Sequence, residues 1–367
     1  MRIAIFGASG FVGSNIAHHL ARNPAYETRL FDLEERKLAL RFENESYDFE
    51  PVSIANGNPR VDEIVSESDL VFDLAAYVHP AMFLARPLDV VQLNFFDCLN
   101  VVEACVRHRK RLIHFSTSEV YGKAHGSSDP FREDTTDLVL GPVGKTRWIY
   151  SCAKQLLDRM IHAHGEEHGL DYTLVRPFNF VGPLMDKYSR EWRHDDNPRV
   201  FANFMSALVY GRPLQLVEGG RSRRCFTHID DAVAAIQAII DHPEAMSRQV
   251  VNVGNPENET TIRGLAELMS ARYRAVCPAG PAPRILDVAA RDFYGDGYED
   301  CDRRLPDISK LRAIGSVPPA GAGGNGAFVD GLFPAASQTS GRHSGRLTML
   351  VPRHHRMRRV AVIARPR

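Results

Sequence analysis

The chain has 367 residues, and its 45 Lys and Arg are balanced by 45 Asp and Glu, so its formal net charge is zero. That length suffices for one large domain or two lobes around a substantial core. The balanced charge gives no general attraction to nucleic acid or to an anionic membrane, so any basic site has to be local.

The opening run Met1–Phe6 meets Gly7 too soon for a signal peptide, and no later run approaches a membrane span. A cytoplasmic protein is expected. Cys98, Cys105, Cys152, Cys225, Cys277 and Cys301 lie scattered, with no CxxC or Cys/His ligand spacing. Free thiols and no metal site are expected.

Arg2–Phe6 reads as a short strand, followed by Gly7-Ala8-Ser9-Gly10-Phe11-Val12-Gly13 and a helical pattern to Leu20. Glycines at this spacing permit a tight turn, close approach of backbone to a pyrophosphate, and close packing of helix on strand. A second run, Thr28–Phe31, ends in Asp32, an acid placed to accept from a ribose 2′-OH. It would repel a 2′-phosphate, so NAD is expected rather than NADP.

A third strand is expected within Phe49–Asn58. Asp69–Ala76 is an apolar run typical of a strand buried on both faces, and its small end, Ala75 and Ala76, falls beside the expected cofactor. Pro87–Lys110 reads as one helix. The strand Arg111–Phe115 follows and ends in Ser116-Thr117-Ser118-Glu119-Val120-Tyr121-Gly122. Alternating strands and helices predict an α/β fold, a Rossmann-type doubly wound parallel sheet with ligands at the carboxyl ends of its strands.

Tyr150 and Lys154 stand four apart in a segment of helical periodicity and so share a face. A tyrosine is a poor base near neutral pH, but a nearby ammonium favours its phenolate. With Ser118 donating to the same substrate oxygen, the set is suited to removing a proton from a sugar hydroxyl while hydride leaves the same carbon.

Further on, Tyr172–Val175 reads as a strand, Phe201–Tyr210 as a helix, Leu214–Val217 as extended and Gly219–Arg224 as a basic turn able to hold a diphosphate. Phe226–Asp231 opens a helix with an Asp as candidate cap, Val250–Gly254 is another strand, and Thr260 or Thr261 is expected to cap Ile262–Tyr273. The expected organisation is a dinucleotide domain over 1–178, also receiving about 225–255. A smaller mixed α/β substrate lobe takes 179–224 and 256–315, and 316–367 is a Pro/Gly- then Arg-rich tail.

In this order the glycine turn, Asp32, the hydroxyl-bearing strand end and the Tyr150/Lys154 pair resemble an extended short-chain dehydrogenase/reductase that modifies nucleotide sugars. Ser116–Gly122, Gly141–Tyr150, Arg176–Asn179, Arg224–Thr227, Asn252–Pro256 and Tyr294–Tyr298 are similar to the UDP-glucuronate decarboxylases. That group includes the decarboxylase half of the bifunctional polymyxin-resistance enzyme, bacterial UDP-4-keto-pentose/UDP-xylose synthases and plant UDP-apiose/UDP-xylose synthases. The resemblance covers residues 1–315.

Carried over by position, it implies Ser118, Tyr150 and Lys154 as the oxidising triad, Glu119 as a further active-site acid and Arg304 as the arginine facing the sugar carboxylate. Asn179, Arg199 and Tyr298 are implied as nucleotide-sugar contacts, joined by Arg224 from the basic turn. Gly7, Gly10, Phe11, Val12, Gly13, Asp32, Ala75 and Ala76 would meet NAD together with Tyr150 and Lys154. The implied reaction is oxidation of UDP-glucuronate at C4 and loss of CO₂, giving UDP-4-keto-pentose and, by further reduction, UDP-xylose.

A UDP-sugar 4-epimerase and a UDP-apiose/xylose synthase-like enzyme are the alternatives. The apiose synthases carry cysteines where this chain has Ser118 and Val78, which disfavours ring contraction. Hexose dehydratases place an Asp-Glu pair where Ser118 here precedes a single acid. The resemblance also implies a homodimer paired through helices Pro87–Lys110 and Tyr150–Glu167.

Overall fold

The computed structural model describes residues 1–43, 45–123, 129–185, 199–295 and 299–316, with the backbone of a strand pair at 347–353 and 356–362. Seven strands form one parallel sheet. Its order is Gln249–Val253, β6 (Tyr172–Pro177), β5 (Arg111–Phe115), β4 (Leu70–Asp73), β1 (Arg2–Phe6), β2 (Glu27–Asp32) and β3 (Asp48–Pro51). The chain steps outward from β1 to β3 on one side, then returns to β4 on the other. That reversal opens a crevice at the carboxyl ends of β1 and β4, where doubly wound sheets bind ligands.

The central strands are apolar nearly throughout because helices cover both faces. Ile3, Ile5, Ile113 and Val175 pack on one face with Ile236 and Ile239 of helix Ile229–Asp241. Ala4, Phe6, Val71 and Leu112 pack on the other with Val61, Val101 and Leu157.

The third strand is shorter than expected, since it stops at Pro51 on the sheet edge. Proline has no N–H for a ladder, and an edge tolerates one. The expected single helix from Pro87 is continuous but not uniform: α over Pro87–Val91, π over Gln92–Asp97, α again over Cys98–His108. Helix Ile229–Asp241 is capped not by an Asp but by His228, whose Nδ1 accepts from Asp230 N at 3.3 Å. Thr261 caps Ile262–Val276, its hydroxyl accepting from Gly264 N at 2.9 Å.

The smaller elements gather beyond the carboxyl edge of the main sheet. Leu214–Val217 pairs in parallel with Ile285–Val288, and Arg223–Cys225 lies between Glu259–Thr261 and Arg303–Arg304. Within the region expected as a tail, Leu347–Arg353 pairs antiparallel with Arg356–Val362. Among the described residues no helix is long and apolar enough to cross a membrane.

Candidate active site

At the end of β1, Gly7 adopts φ +78°, and a Cβ there would sit 2.7 Å from the backbone of Leu74 and Ala75. A Cβ on Gly13 would lie 2.3 Å from Gly7 O. Side chains are thus excluded where α1 (Phe11–Ala21) must approach β1. Gly10 stands at the N-cap of α1 with no side-chain cap, so the first N–H groups of that helix face the turn. Asp32 closes the rim of the turn. Its carboxylate accepts from Ser9 N at 2.9 Å and from Leu33 N at 2.7 Å, and burial raises its pKa. Ala75 and Ala76 follow β4 opposite the turn. A glycine cradle, a helix N-terminus and an acid at the end of β2 together fit a dinucleotide carrying an unmodified ribose 2′-OH.

The end of the neighbouring strand β5 meets a helix that carries the Tyr150/Lys154 pair. Tyr150 enters from helix Ile149–His168, buried and stacked on Phe83 with ring centroids 4.6 Å apart. Lys154, one turn on, donates to Phe115 O at 2.9 Å and stands 3.3 Å from His114 Nε2. Burial first, and the charge of Glu119 second, raise the Tyr150 pKa well above its ordinary value. A hydrogen bond with the Thr117 side chain and the charge of Arg147 oppose them. Thr117, whose hydroxyl accepts from Glu119 N at 3.2 Å, and Ser118 are both buried at this strand end, near the phenol.

Beyond the phenol lies a buried cluster of acids and guanidiniums. Glu119 accepts from Arg147 at 2.6 Å and from Arg304 at 3.2 Å. Asp300 accepts from Arg224 at 2.7 Å, Arg304 at 2.8 Å and Arg147 at 3.4 Å. Burial alone would raise the pKa of both acids; the arginines outweigh it and hold both below the usual carboxylate range. Three arginines thus meet two acids in the cluster. Arg304 Nε is buried with no hydrogen-bond partner among the described residues.

The cluster forms the floor of a cavity of about 740 Å³, walled by Asn179, Arg199, Phe204, Arg221, Phe226 and Tyr294 among others. Asn179, at φ +42°, donates to Cys225 O at 2.9 Å, and Arg199 lies 5.4 Å over the Phe11 ring. Gly141 explains itself here: a Cβ would come within 2.4 Å of the Glu299 carboxylate and of Trp148 Nε1, which are hydrogen-bonded to each other at 2.9 Å.

The fold thus brings Glu119, Tyr150, Lys154 and Arg304 to one end of the sheet, and sets Asn179, Arg199, Arg224 and Arg304 along one cavity. Tyr298 lies outside the described residues. Three contributors went unassigned from sequence. Thr117 was hidden by its neighbour of like chemistry. Arg147 sits in the turn before the Tyr150 helix and Asp300 in the loop before strand Arg303–Arg304, so no helical spacing marks either.

The family model described as "NAD dependent epimerase/dehydratase family" matches residues 3–254. The chain belongs to that family. Among curated relatives of this epimerase/dehydratase, UDP-D-apiose/UDP-D-xylose synthase 1 of Arabidopsis thaliana is 39% identical over 340 residues, 87% of each chain. The rice UDP-D-apiose/UDP-D-xylose synthase is 39% identical over 330 residues, 84% of this chain and 83% of the relative. Of solved structures, the PbgP3 protein from Burkholderia pseudomallei superposes with TM-score 0.74 at 31% identity, over 86% of this chain and 91% of that one. The UDP-glucuronic acid 4-epimerase from Bacillus cereus, solved with UDP-glucuronic acid and NAD, shares the fold at TM-score 0.70 and 21% identity, over 87% and 95%.

Proposed function

We propose that this epimerase/dehydratase oxidises UDP-glucuronate at C4 and decarboxylates the product, releasing UDP-4-keto-pentose or reducing it on to UDP-xylose. The observation that carries the reading is the cluster of guanidiniums at the floor of the cavity near Tyr150, Arg147, Arg224 and Arg304, a setting in which a uronic acid carboxylate finds charge-assisted donors. Arg304, with its unpartnered Nε, is the fork for that carboxylate. The 39% identity to UDP-apiose/UDP-xylose synthases supports the same substrate class.

Tyr150, with Thr117 and Ser118 alongside, takes the proton of the C4 hydroxyl. When bound, NAD⁺ supplies the hydride acceptor and a positive ring that favours the phenolate. The C4 ketone is β to the C5 carboxyl group, so the C5–C6 bond breaks, CO₂ departs and the electron pair becomes an enolate. Tyr150, reprotonated, and the hydroxyls of Thr117 and Ser118 donate to the enolate oxygen. C5 then regains a proton from water, which Glu119, held as a carboxylate between Arg147 and Arg304, is placed to orient on that side. Ring contraction is a second reading, favoured by the names of the relatives; Ser118 and Val78, where the resemblance has cysteines, weigh against it.

Incubation with UDP-glucuronate labelled at its carboxyl carbon is the test. Labelled CO₂ and a UDP-pentose by mass spectrometry are expected, whereas products that all keep the full carbon count would end the reading in favour of a 4-epimerase.

A homodimer belongs to the same proposal. Leu88, Phe96 and Leu156 are 81%, 45% and 48% exposed on two helical segments that pack side by side. Light scattering should give a dimer for the unaltered chain and a monomer for Leu156→Glu.

A further inference from the structure

Beneath the Tyr150 helix, a second set of titratable groups is closed off from the cavity. Asp73 ends β4 and His114 is its register partner on β5, so the two side chains meet across the sheet. Asp73 Oδ2 lies 2.8 Å from His114 Nδ1, and neither side chain is exposed at all. On the far side of the ring, His114 Nε2 stands 3.3 Å from Lys154 Nζ. The other Asp73 oxygen accepts from Ala75 N at 3.3 Å. Cys98, on the helix packed over β4, donates its thiol to Ala75 O at 3.3 Å, and burial pushes its pKa far up, so it brings no charge. Asp158 on the Tyr150 helix also faces the imidazole, but it is engaged by Ser116 at 2.9 Å and by Arg176 at 3.1 Å.

The chemistry of these partners fixes the ring. Burial first, and the Lys154 charge second, lower the His114 pKa, so the imidazole is neutral. A carboxylate only accepts, so the single ring proton sits on Nδ1 and is donated to Asp73. Nε2 is then a bare acceptor, and an ammonium is the group that needs one. With Phe115 O, two of the three N–H groups of Lys154 are anchored inside the sheet.

We propose that Asp73 and His114 form a buried positioning dyad, whose negative charge reaches Lys154 through a neutral Nδ1–H imidazole and anchors the ammonium one helical turn from Tyr150. The inference rests on Tyr150 and Lys154 being the oxidising pair. His114 and Asp73 touch no substrate; they act through Lys154. A bare ammonium at this depth would be costly, and the dyad offsets that cost without placing a carboxylate next to the phenol, where a second negative charge would hinder its ionisation.

Two measurements test it on the full chain. In ¹⁵N-histidine NMR, with the His114 signals assigned by their loss in His114→Asn, the ring should show the Nδ1–H tautomer and stay neutral where an ordinary imidazole takes up its proton. A ring that titrates near the ordinary histidine value, or carries its proton on Nε2, overturns the dyad. This readout needs neither substrate nor turnover, so it stands even if UDP-glucuronate releases no CO₂ and the decarboxylase reading falls.

The second measurement is kinetic. Asp73→Asn keeps an acceptor for Nδ1–H and removes only the charge; the paired change Asp73→Leu with His114→Phe removes both polar groups and orphans neither. Both should lower kcat about ten-fold, change KM for UDP-glucuronate less than about two-fold, and move the alkaline limb of the kcat profile to lower pH. Wild-type kcat with an unmoved pH profile in both variants overturns the proposal, and should either fail to fold the tautomer decides it.

Discussion

At the carboxyl end of β1 the working surface is backbone: seven residues from Gly7 to Gly13 supply the turn, the close approach and the first N–H groups of a helix. At the cavity end it is side chains gathered from far apart, with Glu119 reaching Arg147 across 28 positions and Arg304 across 185. The two ends consequently fail in different ways. A backbone cradle fails when an atom intrudes, and a charge cluster fails when its sum changes.

Tyr150 stands where the two ends meet, and its loss has the largest expected effect. Tyr150→Phe keeps the stack on Phe83 and removes the proposed proton acceptor, so kcat should fall about 10³-fold or more while the melting temperature moves little. A variant retaining a tenth of the activity would remove Tyr150 from the chemistry.

Arg304→Met separates the ends. It takes one guanidinium from the cluster and leaves Glu119 and Asp300 each one partner short. Loss of kcat/KM for UDP-glucuronate of about 10²–10³-fold is expected, of the size that follows from breaking a buried charged pair, with dinucleotide content of the purified protein unchanged. Equal loss of both would mean that the two ends are one structural unit.

Gly13→Val is the converse. Its Cβ would meet Gly7 O at 2.3 Å, so bound dinucleotide should be lost, read from the 260 to 280 nm absorbance ratio, with a stability cost of about 1–3 kcal/mol. Retention of the dinucleotide would show that the turn yields more than its contacts suggest.

This contrast also explains what could be read from the chain alone. The dinucleotide end was legible because its rules are local: glycines at fixed offsets after a strand, an acid at the end of the next, Tyr150 and Lys154 one helical turn apart. So were Glu119 and Arg304, through motif resemblance. Their mutual pairing was not, because no local spacing records that Asp300 and Arg224 meet, or that Arg147 points inward from the start of the Tyr150 helix. Thr117 shows the same limit at shorter range. Its hydroxyl caps the short helix Ser118–Tyr121 by accepting from Glu119 N, a role that adjacent hydroxyls in the sequence do not distinguish. The π turn at Gln92–Asp97 was invisible to a periodicity that continues on either side of it.

The smallest effect tests whether pairing by charge extends past the site. Glu259 lies in the small sheet, accepting from Arg223 at 3.0 Å and Arg303 at 2.9 Å, and its pKa falls to about 2, chiefly through the Arg303 hydrogen bond. A carboxyl whose folded pKa is depressed contributes stability that is complete above its unfolded value, near ~4.3, and is lost as pH falls through the folded value. Arg223 is about half exposed, so solvent screening cuts the contribution to about 1 kcal/mol. Glu259→Gln should therefore lower the urea midpoint at pH 6, and the gap from the unaltered chain should narrow on going to pH 3. A gap that stays constant with pH would assign the loss to packing in the Glu259–Thr261 strand, leaving the buried cluster as the place where charge governs this molecule.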